Sequence, residues 1–275
     1  MKKPKIIFID LDGTTLDDGP GLKFWQKDTT EYTRKTLLEL NKTIPVVAST
    51  GRGAKESTSK LVSNFGPETY IAWNGAKTIE NGQVVHEYAF SKENTQKLFD
   101  ELARNFCFVV FNSDGRNSSF ARNKFLRLFM GFAKQYAKPY KAFKNDFTIY
   151  KAFVWSWSTR RIQKLAKKWQ EQYKGIFEIA ITGSKNNRLE ITPADCSKGS
   201  AEVRYCLSKG IDPQDAMHIG DSLNDASTKG KIGTLVAMKN SVQELKDIAD
   251  VVTEYECDES GLAKFLEQFI EKTEN

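Results

Sequence analysis

The sequence predicts a doubly wound, mostly parallel α/β domain into which a second α+β domain is inserted. Three observations carry that expectation. Near both ends of the chain, short apolar runs that stop at polar residues alternate with helical stretches. Between about residues 84 and 188 the texture changes, and 21 of the 32 aromatic residues fall there. After about residue 189 the first texture returns, as it does when one domain interrupts another. The expected division is 1–83 with 189–275 for the outer domain and 84–188 for the insertion.

Lys5–Ile9 is an apolar run and reads as a strand buried on both faces. Asp28-Thr29-Thr30-Glu31 has the form of a capping box, with Asp28 as N-cap, and opens a helix to about Asn41. Pro45–Ser49 is a second buried strand, Ala54–Phe65 a helix stopped by Gly66-Pro67, and Tyr70–Trp73 a third strand. Asn81-Gly82 between Thr78-Ile79 and Val84-Val85 signals a tight hairpin. Within the insertion the pattern gives a helix Ser91–Asn105, a strand Phe106–Phe111, a loop Asn112–Ser119 and a basic helical stretch around Phe120–Ala137. A strand Tyr150–Trp157, a helix Thr159–Tyr173 and a strand Phe177–Thr182 follow. Then come a helix Lys198–Ser208, strands Ala216–Ile219 and Thr234–Met238, and helices Ser241–Ile248 and Ser260–Glu271.

Composition narrows the functional classes. Of 275 residues, 40% are hydrophobic and 28% charged, as in folded globular chains and unlike disordered ones. No apolar run approaches the ~20 residues of a membrane span. Met1-Lys2-Lys3 is followed by too short an apolar run for a signal peptide. Cys107, Cys196, Cys206 and Cys257 are far apart and form no C-x-x-C pair, which suits reduced thiols and a cytoplasmic protein. The two histidines are too few for a histidine-based metal site, and His218, inside an apolar strand pattern, reads as a core residue. The net charge is +6, yet residues 120–174 hold 14 Lys or Arg against Asp146 and Glu171. That segment suggests anionic partners, or simply a solvated basic face.

Three apolar strands run straight into polar residues suited to catalysis. Lys5–Ile9 ends at Asp10, Pro45–Ser49 at Thr50, and Ala216–Ile219 at Gly220-Asp221. In a parallel sheet all three emerge at one carboxyl edge, where open α/β sheets bind ligands. Asp10 and Asp12 form a D-x-D pair, and Gly13 allows a turn that separates their directions. One carboxylate can attack phosphorus while the other handles the leaving-group proton. Gly220-Asp221-Ser222-Leu223-Asn224-Asp225 adds hard oxygen ligands of the kind Mg²⁺ prefers. Lys198 opens a helix, and Thr50-Gly51-Arg52 offers a hydroxyl, close backbone approach and a cation.

Together these residues resemble the haloacid dehalogenase (HAD) superfamily of phosphatases. Asp10-Leu11-Asp12-Gly13-Thr14-Thr15-Leu16 is similar to its first motif, Ser49-Thr50-Gly51-Arg52 to its second, Lys198-Gly199 to its third and Gly220–Asp225 to its fourth. An insertion between the second and third motifs is similar to the Cof-like branch with a type IIB cap, as are Trp73-Asn74-Gly75-Ala76 and Leu189-Glu190-Ile191. The resemblance implies a Rossmann-like catalytic core and a cap that selects substrate. It implies that Asp10 is the nucleophile, that Asp12 is the acid and then the base, and that Thr50 and Lys198 hold the phosphoryl oxygens. Mg²⁺ would be bound by the Asp10 carboxylate, the Asp12 carbonyl and Asp221, with Asn224 and Asp225 in the first or second shell. Thr228 and Lys239 depart from the branch pattern, which often has Met and Gly there.

The function expected is hydrolysis of a small phosphorylated metabolite: a sugar phosphate, a nucleotide or a cofactor phosphate. Gly51, Arg52 and, in the loop Ser184–Asn187, Asn187 are the substrate-binding candidates. A phosphotransferase or mutase using the same aspartyl-phosphate is the alternative. A non-enzymatic anion or nucleic-acid binder fits less well, because Asp10, Asp12, Lys198 and Asp221 are all present and no nucleic-acid motif is.

Overall fold

The computed structural model of the chain describes residues 1–16, 27–113, 117–122, 137–182 and 187–270. The chain divides into two compact units, Met1–His86 with Ser197–Asn275, and Glu87–Cys196.

The first unit begins with β1 (Ile6–Ile9), α1 (Glu31–Leu40), β2 (Val46–Ser49), α2 (Glu56–Ser63), β3 (Tyr70–Ala72), β4 (Lys77–Glu80) and β5 (Gln83–Glu87). The second contains α3 (Lys92–Arg104), β6 (Phe108–Asn112), β7 (Asn117–Phe120), β8 (Lys151–Trp155), α4 (Thr159–Gln172), β9 (Phe177–Thr182) and β10 (Arg188–Pro193). The chain then returns to the first with α5 (Lys198–Ser208), β11 (Ala216–Gly220), β12 (Thr234–Ala237), α6 (Gln243–Lys246), β13 (Val251–Val252) and α7 (Gly261–Leu266).

The first unit is an eight-stranded sheet in the order β13-β12-β11-β1-β2-β3-β4-β5. Strands β13 through β3 pair in parallel, and β4 adds antiparallel. Strand alternation explains the two layers. Ile7 and Ile9 pack in one core with Leu37 and Leu40 of α1, Leu61 of α2 and Leu262 of α7. Ile6 and Phe8 turn to the other core, with Ala201, Tyr205 and Cys206 of α5. Both faces are covered, so the central strands have no solvent side and read as unbroken apolar runs. From β1 the chain proceeds outward on one side through β2 and β3, and on the other through β11, β12 and β13. β1 therefore stands where the winding reverses.

The second unit is a five-stranded antiparallel sheet, β7-β6-β8-β10-β9. Its core joins Leu98, Phe99 and Leu102 of α3 and Ile162, Leu165 and Trp169 of α4 to Val109, Val154, Leu189 and Ile191 of the sheet. Much of its aromatic content is spent there. Phe99 stacks on Phe143 with centroids 3.8 Å apart, and Phe120 meets both edge-on.

The structure corrects several expectations. The α1 cap is Thr30, whose side chain accepts from Thr33 N–H at 3.1 Å. Asp28 instead accepts from the next residue, Thr29 N–H, at 2.8 Å; two adjacent threonines make the cap position ambiguous in sequence. Asn117–Phe120, placed in a loop, is β7 and pairs with β6 from Val109 to Asn112. Leu189–Pro193, assigned to the outer domain, belongs to β10, which lies between β8 and β9 of the second sheet. Its position beside the return to the outer domain suited either sheet, and only the pairing decides. The units therefore meet in sequence at 86/87 and 196/197 rather than at 84 and 189. The expected helix around Phe120–Ala137 falls mainly on 123–136, outside the described residues. Asn81-Gly82 does form the tight turn between β4 and β5, with φ of +49° and +76°. No described helix is long and apolar enough to cross a membrane.

Candidate active site

The parallel register brings three strand ends together. Ile9 stands beside Ile219 of β11 and Ala48 of β2, so Asp10, Asp221 and Thr50 leave the sheet at one edge. Asp10 N–H continues the ladder to Ile219 C=O at 2.9 Å, and Thr50 N–H bonds Ile71 C=O at 2.8 Å. The chain then turns sharply. Thr14, Thr15 and Leu16 N–H all converge on Leu11 C=O, the Thr15 hydroxyl donates to Asp10 C=O at 2.5 Å, and Gly13 takes φ +81°. A side chain at Gly13 would strike Asp221, since its Cβ would lie 2.4 Å from Asp221 Oδ2. Glycine is needed here for both the backbone angle and the space.

Asp12 is gripped by Arg52. The guanidinium donates Nε to Oδ2 and Nη2 to Oδ1, each at 2.7 Å. Such a two-point fork fixes the carboxylate's plane as well as its position. Arg52 N–H donates to the Thr50 hydroxyl at 3.1 Å, so Thr50-Gly51-Arg52 forms a short turn just beyond β2. Arg52, expected to face substrate, thus has a partner within the site.

Lys198 begins α5, whose N-cap Ser197 accepts from Ser200 N–H. Its ammonium is fully buried and lies 2.5 Å from Asp10 Oδ1 and 2.6 Å from Asp225 Oδ1. Burial works against its charge, but Asp10 and Asp225 outweigh that and raise its pKa. Asp225 is equally enclosed. Its Oδ2 accepts from Asp221 N–H at 3.1 Å and Ser222 N–H at 2.9 Å, and its Oδ1 lies 2.9 Å from His218 Nε2. Burial opposes its ionisation, but Lys198 and His218 prevail and hold its carboxyl well below the usual range. Asp10 goes the other way. Burial pushes its carboxyl up to about 6, with Lys198 opposing and Asp225 and Asp12 assisting. Asp221 is also raised, by burial first and then by Asp10 and Asp225.

These opposed shifts mark a site short of positive charge. Asp10, Asp221 and Asp225 each place a carboxylate oxygen within 4.8 Å of the others. Asp221 Oδ1 is closed off from solvent and accepts no hydrogen bond among the described residues. An all-oxygen donor set with an orphaned carboxylate oxygen fits a hard divalent cation. Asp225 offers little to such an ion, because both its oxygens are engaged. Asn224 is similarly committed: its Nδ2 donates to Asn74 Oδ1 at 3.2 Å, and its Oδ1 accepts from the Ser222 hydroxyl at 2.8 Å.

Two groups were not assigned to the site from sequence. Asn74, buried with φ +56°, donates its N–H to Thr50 C=O at 3.0 Å and anchors Asn224. Its signal was the Asn-Gly step directly after a strand, which tolerates positive φ. His218 meets Asp225 from behind and is itself backed by Glu202. His218 is the buried core residue expected, but one wired to the site. Asn187 lies in the second unit, half-buried, directly before β10, and 183–186 are outside the described residues.

A family model described as haloacid dehalogenase-like hydrolase matches residues 7–266. The chain belongs to that family. Among its relatives, the 5-amino-6-(5-phospho-D-ribitylamino)uracil phosphatase YwtE of Bacillus subtilis strain 168 is 27% identical over 97% of this chain and 98% of its own. The phosphatase YwpJ of the same organism is 25% identical over 97% and 100%. A solved structure described as a HAD subclass IIB sugar phosphatase superposes with a TM-score of 0.75 at 20% identity, covering 96% of this chain and 98% of its own. The Cof-like HAD family reading is borne out, and so is the α/β core with an inserted cap, the fold shared with the subclass IIB structure. The chain is a phosphatase of this family.

Proposed function

We propose that the chain hydrolyses a small phosphorylated metabolite through an aspartyl-phosphate on Asp10, with Mg²⁺ as cofactor. The observation that carries this reading is the Asp10 carboxylate, buried at a sheet edge, 2.5 Å from the Lys198 ammonium and beside Asp221. A carboxylate so placed meets a phosphoryl group amid cations that neutralise its oxygens.

In the proposed first step an Asp10 oxygen bonds phosphorus and the ester P–O bond breaks, while the Asp12 carboxyl gives its proton to the departing oxygen. In the second, water attacks the same phosphorus, its proton passes to the Asp12 carboxylate, and the Asp10–phosphorus bond breaks to release phosphate. Lys198, the Thr50 hydroxyl and the backbone at Gly51 hold phosphoryl oxygens. Arg52 sets the direction of Asp12 through its two hydrogen bonds. Asp10, Asp221 and the Asp12 carbonyl would hold Mg²⁺, with Asn224 and Asp225 supporting them from outside. When bound, the ion would neutralise charge on the phosphoryl group and on the two raised carboxylates. The inserted unit is proposed to select substrate, with Asn187 touching its non-phosphate part. Four buried, free cysteines suit the cytoplasm.

The test is phosphate release from a panel of phosphomonoesters. Ribitylaminouracil phosphate and sugar phosphates come first, because relatives carry those names; nucleotides and cofactor phosphates follow. Release should vanish in EDTA and return with Mg²⁺, and undiminished release after thorough chelation would remove the metal from the reading. A second phosphorylated product in place of free phosphate would make the chain a transferase. Gly13→Ala should weaken the apparent Mg²⁺ affinity about 10- to 100-fold by displacing Asp221. Titrating activity with Mg²⁺ measures this, and an unchanged midpoint would show that Asp221 does not hold the ion.

A further inference from the structure

Behind the reacting carboxylate runs a single file of buried charge. Asp10 Oδ1 meets Lys198 Nζ at 2.5 Å, Lys198 meets Asp225 Oδ1 at 2.6 Å, Asp225 Oδ1 meets His218 Nε2 at 2.9 Å, and His218 Nδ1 meets Glu202 Oε1 at 2.9 Å. Signs alternate along the whole chain when the imidazole is charged. The last four side chains are fully buried.

The placement follows from two periodicities. Lys198 and Glu202 are four residues apart on α5 and so share one helix face. His218 lies on β11 with Ala216, on the sheet side that packs against α5. The strand thus brings the ring under Glu202, while the loop after β11 brings Asp225 to its other nitrogen. Neither Glu202 oxygen makes a hydrogen bond among the described residues, so the imidazole is its one close partner there, through an ionic contact.

A buried glutamate–histidine pair is an expensive way to fill space. Each charge costs several kcal/mol to desolvate, and apolar residues of similar volume commonly do as well or better for stability. The pair touches nothing that reacts, but it does touch the carboxylate that shares Lys198 with Asp10. We propose that Glu202 and His218 are positioning residues for the phosphoryl-transfer site, holding Asp225 so that Lys198 stays directed at Asp10. This rests on Asp10 being the nucleophile. The imidazole lies within hydrogen-bond distance of Asp225 Oδ1 through Nε2 and makes an ionic contact with Glu202 Oε1 through Nδ1. Its donation to Asp225 Oδ1 draws off charge that would otherwise pull the Lys198 ammonium away from Asp10 and from an incoming phosphoryl oxygen. Glu202 backs the ring on its other side, 2.9 Å from Nδ1.

The experiment compares Glu202→Gln, His218→Gln and His218→Leu with the wild type, using enzyme shown to be folded by circular dichroism. Glu202→Gln should lower kcat about tenfold with KM within about twofold, the usual scale for loss of an outer partner. His218→Gln keeps one N–H for Asp225 and should retain more kcat than His218→Leu. A purely structural pair would lower the melting temperature and leave kcat per folded molecule unchanged; kcat of Glu202→Gln within twofold of wild type overturns the inference. A second readout needs no substrate. The chain has two histidines, so ¹⁵N-histidine labelling gives a readable spectrum. The His218 ring resonances should move in Glu202→Gln, which removes the charge beside Nδ1, whereas unchanged resonances would show that Glu202 does not hold the ring and overturn the inference. The spectrum decides even if no phosphate is released, an outcome that would count against the phosphatase reading alone.

Discussion

Asp10→Asn should abolish turnover while leaving the protein folded. An amide cannot form the acyl-phosphate, and loss of a covalent nucleophile elsewhere costs at least about 10⁴-fold in kcat, which is roughly 5.5 kcal/mol of barrier. The fold should tolerate the change, because the Asn oxygen can still accept from Lys198 where Asp10 Oδ1 does now. The pKa shift gives the sign for stability. A carboxyl raised from 3.8 to about 6 on folding is disfavoured as an anion in the native state. Its charge therefore costs stability as pH rises through that window, and the cost persists above it. At neutral pH, without metal, the variant should melt no lower than about 1 kcal/mol below wild type. Phosphate release and urea denaturation on the same preparation check both parts. Turnover above a few parts in ten thousand, free of contaminating phosphatase, would assign the nucleophile elsewhere.

The second large effect is expected from Lys198→Met, and it falls on stability as well as rate. Its ammonium lies between two buried carboxylates at 2.5 and 2.6 Å, in a region that also contains Asp221. Removing one partner of a buried ionic pair strands the other, a loss on the order of 3–5 kcal/mol. Activity should fall by about 10²–10³, the scale for losing a charge donor aimed at the reacting group. The lost stability should be largest in EDTA, because a cation at Asp10 and Asp221 would supply part of the missing charge. Adding Asp225→Asn to Lys198→Met should recover part of it by removing one stranded carboxylate. If Lys198→Met unfolds within 1 kcal/mol of wild type in EDTA, these charges are more exposed to solvent than the structure shows.

The reacting edge was legible in the sequence because it is built from local pattern. Apolar runs such as Ile6-Ile7-Phe8-Ile9 can be stable only inside, and each stops at the residue that emerges from the sheet. Asp10, Thr50 and Asp221 follow from that rule and a parallel sheet, before any contact is known. The Asn81-Gly82 turn was legible for the same reason, since its backbone angles suit few other pairs. Failures came where sequence pattern is silent about partners. β10 lies where the chain returns to the outer domain, and its pairing with β8 and β9 places it in the insertion. Asp28 and Thr30 are both good caps, and only the hydrogen bond to Thr33 separates them.

By itself, the sequence determined the two-domain plan, the strand ends that carry Asp10, Thr50 and Asp221, and the family of the chemistry. These depend on hydrophobic periodicity and on residue types at single positions, and both are local properties of a chain. Tertiary structure alone decided which charges face one another. It gave Arg52 to Asp12, committed Asp225 on both oxygens, left Asp221 Oδ1 without a donor among the described residues, and put Glu202 behind His218. The Lys198–Asp10 pair joins residues 188 positions apart. Coulomb energies depend on separation in space and on burial, and neither can be read along the chain.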